Sequence, residues 1–273
     1  MGIKVKALHV GDIMMDWSFL LFGYNPGRKT CIPIISYLIL GAESPILVDT
    51  GVRDVNLFPP TMRGWETPEQ NIIKLLKEEG LEAGDIGYII QTHLDIDHTG
   101  KTPLFPNAKI IVQRKEMAFQ ASYWSQLGHS PDLPWFVNNL NRIEFIDGDV
   151  EVFPGIKCVL AIAHTGGHQH IEVQTDLGKM IMVGDTVYDV PMQLEERGGV
   201  GKIWPAGNCY NQALFQDELL KLKRELKKGS FILPTHTFEP FDRYKLGEKR
   251  SDKRSDYEGF PSLDWPPLKI DTI

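Results

Sequence analysis

Apolar residues along this chain fall in short runs closed by Gly, Pro, Asn or Asp, with two stretches of helical period between them. "IPIISYLIL" (32–40) and "SPILVDTG" (44–51) are rich in β-branched residues, and predict two strands joined by a turn at Gly41–Ser44. "DIGYIIQT" (85–92), "AKIIVQ" (108–113), "GIKCVLAIAH" (155–164), "GKMIMVGD" (178–185) and "SFILPTH" (230–236) predict further strands. "TPEQNIIKLLKEEG" (67–80) predicts a helix. Thr67 caps it, Pro68 takes its first position and Gln70 completes a capping box; Ile72, Ile73, Leu75 and Leu76 form an apolar face and Gly80 stops it. "ALFQDELLKLKRELKKG" (213–229) predicts an amphipathic helix with Leu219, Leu220, Leu222 and Leu226 inward. Strands alternating with helices make a layered α/β structure.

Two stretches break the pattern. Residues 119–145 are aromatic and carry Pro131 and Pro134, which fits either a cap over a pocket or a packed surface excursion. The tail from about Tyr244 holds "KRSDKRSD", which reads as a solvated loop. It ends in a Trp/Pro-rich segment expected to pack on the body or on another subunit, so a homodimer is among the expectations.

Composition narrows the class. An apolar fraction of 42% and a charged fraction of 24% fit a globular chain. No apolar run is long enough for a membrane span, and the first residues lack a signal-peptide pattern. Net charge is −7 with no basic stripe, which argues against nucleic acid as a partner and leaves a small-molecule substrate. Cys31, Cys158 and Cys209 are scattered without a CxxC, as expected in the reducing cytoplasm.

The chemistry sits at the strand ends. "THLDIDHTG" (92–100) places His93, Asp95, Asp97 and His98 together. His164 opens "HTGGHQ", Asp185 lies in "GDTVYD" and His236 closes "PTH". Imidazoles and carboxylates are ligands for zinc, iron and manganese, and seven of them, with one carboxylate able to bridge, would serve two ions. His168 is expected beside the site as a non-ligand that steadies the loop around His164, or as a buried structural histidine. His9, His129 and His170 are expected to be structural or surface residues.

This ordered set resembles the metallo-β-lactamase superfamily, whose motif is HxHxDH followed by His, Asp and His. Within it, "PILVDTG", "IIQTHLDIDHTG", "KIIVQRKE", "HTGGHQ" and "GDTVY" are most similar to the N-acyl homoserine lactone lactonase branch. The likeness runs from the N-terminal strand to His236. It implies an αβ/βα four-layer sandwich, read here as one domain over 1–273 with a C-terminal extension from about 245. It also implies two divalent metal ions, zinc first with iron or manganese as alternatives. His93, the residue at 95 and His164 would hold one ion, Asp97, His98 and His236 the other, and Asp185 would bridge. Asp49 would support a ligating histidine. Tyr188 would face the substrate carbonyl or leaving oxygen, and Asp97 would assist the leaving group. The implied reaction is the quorum-quenching one, opening of a lactone ring by hydroxide generated between the metals. Hydrolysis of another ester, a cyclic amide or a phosphoester stays open, as do a di-iron redox protein on the same fold and a metal-bearing binding module. This chain departs from the motif once, with Asp95 where the branch has histidine. Alternation with His93 and Asp97 is expected to keep Asp95 at the metal edge.

Overall fold

The computed structural model describes residues 2–122, 130–195 and 203–250. Seven strands form one sheet: β1 (Lys4–Asp16), β2 (Lys29–Leu40), β3 (Ile46–Val48), β4 (Arg63–Trp65), β5 (Tyr88–Ile90), β6 (Lys109–Gln113) and β7 (Ile143–Ile146), in the order β4-β1-β2-β3-β5-β6-β7. Five form the other: β8 (Val150–Phe153), β9 (Ile156–Leu160), β10 (Gln169–Thr175), β11 (Gly178–Gly184) and β12 (Phe231–Pro234), in the order β12-β11-β10-β9-β8. Among the described residues, no helix is long and apolar enough to cross a membrane.

The continuous apolar runs are explained by burial on both strand faces. In β2, Ile35, Tyr37 and Ile39 enter one core cluster while Ile34 and Leu38 enter another. β11 divides the same way, Met180 and Met182 against Ile181 and Val183. The first cluster lies between the sheets, since it joins Val5, Ile46 and Ile90 of one to Ile156, Ile171 and Leu233 of the other. The second joins the outer strand faces to helices, taking Ile72, Leu75 and Leu76 from one helix and Phe215, Leu219 and Leu222 from another. Helix, sheet, sheet, helix is the expected four-layer sandwich.

Two local expectations need correction. The capping box of Thr67 and Gln70 is present, but it opens a 3-10 turn over Pro68–Gln70; the α-helix is Ile72–Glu78, capped by the Asn71 side chain on the amides of Ile73 and Lys74. Gly80 does end it, at φ +77°, a conformation glycine adopts without strain. In the Gln212–Lys227 helix, Leu220 is 39% exposed and Phe215 takes its place as the buried anchor. Finally, β1, the N-terminal strand that the resemblance implied, is not marked by local patterning, because its polar residues are buried rather than solvated: His9 and Asp12 pair at 3.0 Å, and Gln70 donates to the other Asp12 oxygen at 2.7 Å.

The corrected helix face sets an expectation for stability. Leu219→Ala should cost about 2–5 kcal/mol, as for other core leucine truncations, whereas Leu220→Ala should stay within about 0.5 kcal/mol. Urea denaturation of the two variants measures the difference; equal costs would contradict the assigned face.

Candidate metal centre

Strand direction brings the candidate ligands together. β3, β5 and β6 are mutually parallel in one sheet. In the other, β9 and β11 both run antiparallel to β10, and β12 is parallel to β11. The segments leaving β5, β9, β11 and β12 carry residues 93–98, His164, Asp185 and His236, and Asp49 follows β3. All seven expected site residues meet at one buried edge.

The 91–98 segment reaches it by a route other than strand alternation. β5 stops at Ile90, and Asp95 is the extended residue (φ −74°, ψ 157°) that precedes a single helical turn, Ile96–Thr99, carrying Asp97 and His98. Gly100 ends the turn against the Gly51–Arg53 backbone, where its N–H donates to Gly51 O at 2.8 Å; a Cβ at 100 would stand 2.2 Å from Arg53 N.

Two groups of three form there. In one, Asp95 Oδ2 lies 3.2 Å from His164 Nε2 and 3.7 Å from His93 Nε2. In the other, Asp97 Oδ2 lies 3.3 Å from His236 Nε2 and 3.8 Å from His98 Nε2. Asp185 stands between them. Its Oδ1 is 3.1 Å from His98 Nε2 and 3.2 Å from His236 Nε2, and its Oδ2 is 3.7 Å from His164 Nε2. Although His98 Nε2 and Asp185 Oδ1 are this close, neither atom is aligned with a hydrogen-bond partner, and buried His93 Nε2 also lacks one. Buried polar atoms are normally paired. Donor atoms that crowd together without pointing at each other fit a shared cation.

The outer nitrogens of the imidazoles reinforce the fit. Nδ1 of His236 donates to Pro33 O (2.8 Å), Nδ1 of His164 to Asn208 O (2.9 Å) and Nδ1 of His98 to Asp49 Oδ2 (2.8 Å). Thr92 gives its own hydroxyl proton to Asp49, so its oxygen accepts from His93 Nδ1 at 3.0 Å. Because these partners are acceptors, the Nδ1 proton is held on each ring and Nε2 is the nitrogen turned inward; in the metal-free state His164 Nε2 donates to Asp95 Oδ2 at 3.2 Å, and a cation would take the place of that proton. Asp49, Asp95, Asp97 and Asp185 bring four negative charges into this buried volume, and two divalent cations carry four positive ones. The residues present therefore fit a dinuclear metal group.

Tyr188 OH donates to Asp185 Oδ2 at 2.8 Å, and its ring stacks on His236 at 5.8 Å. Burial and the neighbouring Asp185 push its hydroxyl well above the usual tyrosine range, so it stays a proton donor. A chamber of about 30 Å³ touches Asp95, Asp97, Asp185 and Tyr188 on one side and Ile13, Met15, Phe58 and Met62 on the other. A groove of about 940 Å³ along β1 contains none of the seven residues and takes no part in the site.

His168 is buried outside both groups, but it holds a different element from the one expected. Its Nε2 accepts from the Asp185 backbone N–H at 3.2 Å, so it braces the residue between the groups rather than the loop around His164. His9 and His170 are buried structural histidines, the latter bonded to Thr186 Oγ1 at 2.9 Å. His129 lies outside the described residues, as do 123–129 of the expected cap, 196–202, and the tail from 251. Sequence reasoning missed Glu116 and Gln120, two buried polar residues four apart in the Arg114–Ala121 helix. Their signal was weak: on a surface helix the same pair would be unremarkable.

Residues 30–236 match the model of the metallo-beta-lactamase superfamily. The chain is similar to an N-acyl homoserine lactonase of Bacillus cereus, 34% identical over 190 residues that cover 66% of this chain and 74% of that protein. It is also similar to the N-acyl homoserine lactonase AttM of Azorhizobium caulinodans, 30% identical over 216 residues covering 68% and 77%. Among solved structures, a quorum-quenching N-acyl homoserine lactone hydrolase superposes with a TM-score of 0.73 at 28% identity, covering 89% of this chain and 96% of that one. Another, with the product N-hexanoyl-L-homoserine bound at its catalytic metal centre, gives 0.72 at 28% identity, covering 88% and 95%.

The electrostatics set a pH expectation for the metal-free protein. Burial works against charge on His236 and His164, but Asp185 and Asp97 hold His236 up at about 10, and Asp95 and Asp185 hold His164 up at about 9. Both values exceed that of an unfolded histidine, near 6.5. Their stabilising contribution is therefore complete below about pH 6.5 and is lost as pH rises through 9 to 10. At pH 7 both rings carry a proton on the nitrogen a cation would need, so zinc uptake should release protons. Calorimetry in two buffers of different ionisation enthalpy measures this; a binding enthalpy that ignores the buffer would contradict it.

Proposed function

The chain belongs to the metallo-beta-lactamase superfamily, and from that premise we propose that it is a dinuclear metal-dependent hydrolase that opens a lactone ring. One observation carries the reading. Two histidine–carboxylate groups share Asp185, and the Tyr188 hydroxyl rests on that same carboxylate beside a small, partly apolar chamber. In this reading His93, Asp95 and His164 hold one ion, Asp97, His98 and His236 hold the other, and Asp185 bridges. When bound, a pair of divalent cations supplies an acidified water and polarises an ester carbonyl.

The chain's own residues do the rest. Pro33 O, Asn208 O, Asp49 and Thr92 fix the imidazoles in one tautomer and orientation. Tyr188 keeps its proton on the phenolic oxygen and, turning its one O–H from Asp185 to the substrate, gives a hydrogen bond to the charge that grows on the ester oxygen. Asp97, a carboxylate on the chamber wall, takes the proton released by the attacking water and passes it to the departing ring oxygen. Met15 and Phe58 give the chamber an apolar wall that faces the reacting ester. The relatives act on N-acyl homoserine lactones by name, and that substrate class, with the quorum-quenching role, is part of the proposal.

Zinc is the first candidate metal. Asp95 is a harder ligand than the imidazole of the related motif and moves the first position towards iron or manganese. The chain is read as one domain over 1–273 with an extension from about 245. A cytoplasmic location, supported by three free cysteines, and assembly as a homodimer complete the reading.

Three outcomes test it. On a lactone panel followed by proton release, Tyr188→Phe should lower kcat about 100- to 1,000-fold, and a chelator should abolish turnover. Phosphodiester hydrolysis with no lactone opening would reject the substrate assignment, and full activity without metal would reject the whole reading. Asp95→His should raise the zinc fraction in protein loaded from a zinc–manganese mixture, measured by elemental analysis; an unchanged ratio would exclude Asp95 from the ligand set.

A further inference from the structure

The Arg114–Ala121 helix turns polar residues inward. Glu116 and Gln120, one turn apart, are both fully buried. Glu116 Oε1 accepts from Leu94 N–H at 3.1 Å and from Gln120 Nε2 at 2.8 Å. Its Oε2 accepts from the Thr165 hydroxyl and from Gly167 N–H, the latter at 3.1 Å. One carboxylate thus ties the helix to two ligand segments: Leu94 lies between His93 and Asp95, and Thr165 and Gly167 follow His164. The approach demands glycine at 167, where a Cβ would stand 2.0 Å from Glu116 N.

Gln120 is held at both ends of its amide. Its Oε1 accepts from the Ser130 hydroxyl, and its Nε2 donates to Glu116 and also to Asp95 Oδ1, at 2.9 Å. The two N–H bonds of the amide therefore end on two carboxylates. The other Asp95 oxygen, Oδ2, faces His164 Nε2 and His93 Nε2. We propose that Gln120, braced by Glu116, is the positioning residue that makes Asp95 a one-oxygen ligand of the first metal position.

The proposal rests on reading the seven side chains as metal ligands. An unrestrained carboxylate swings about its torsions and offers either oxygen or both. With Oδ1 held by a buried, braced amide, the carboxylate is fixed so that Oδ2 is the oxygen turned towards the two imidazoles. Packing alone does not require an amide at 120, since an apolar side chain of equal length would fill the same space.

The test titrates metal-free, full-length protein with zinc by equilibrium dialysis. Gln120→Met keeps the length of the side chain and removes its donors. One of the two zinc equivalents should bind about 10- to 100-fold more weakly, as for other groups that orient metal ligands, and the other should be unchanged. In an Asp95→Ala background the same substitution should change neither equivalent, because Gln120 acts through Asp95. Gln120→Asn, one methylene too short to reach, should reproduce the selective loss if the methionine variant fails to fold in a thermal melt. Unaltered affinities, equal weakening of both equivalents, or a further loss in the Asp95→Ala background would overturn the proposal. A wild-type chain that binds no zinc would overturn the ligand reading as well.

Discussion

The rest of this structure is organised around a buried volume that concentrates negative charge. Asp49, Asp95, Asp97 and Asp185 are all more than nine-tenths buried, and each lies within ion-pair distance of histidines: Asp49 of His98, Asp95 of His93 and His164, Asp97 of His98 and His236, and Asp185 of His98, His164 and His236. Uncompensated charge in such a place costs far more than a domain's whole stability margin. Without metal, protons on His98, His164 and His236 provide the compensation, and the Asp185 carboxyl is pulled well below its usual range by His236 and His98 despite burial. A pair of divalent cations removes the need for those protons.

The fold supports this charge by bringing strand ends from two sheets to one edge and by allowing backbones to approach closely there. Gly100 rests on the Gly51–Arg53 backbone, and Gly167 rests on Glu116. Residues 93–98, though not a strand, are fixed through Asp49, which accepts from the Thr92 amide and hydroxyl and from His98. Asp49 itself has φ +58°, a strained backbone for aspartate, offset by three hydrogen bonds to its carboxylate.

Much of this was legible in the sequence, for identifiable reasons. β2 and β11 announce themselves because both faces are buried, so nearly every residue is apolar. The candidate ligands stand out because imidazoles and carboxylates clustered after apolar runs are unusual. β1 was hidden because His9 and Asp12 satisfy each other inside the protein, which local patterning cannot show. Leu220 looked inward because leucine periodicity alone does not say where the stripe centres; Phe215 decides it. Asp95 was expected at the metal edge for the wrong reason: it stands in an extended segment beyond the end of β5, and the helical turn that follows it, rather than strand alternation, carries Asp97 and His98. Gln120 was invisible because its role depends on contacts across 25 residues of chain.

The central claim is that two cations share Asp185 between the two ligand groups. Anomalous diffraction from crystals of the zinc-loaded protein tests it most directly. The expected map has two peaks about 3.5–4 Å apart, each about 2.0–2.2 Å from its imidazole and carboxylate atoms, one contacting Asp95 Oδ2 and both contacting Asp185. A single peak, or a pair of peaks of which neither touches Asp185, would contradict the claim.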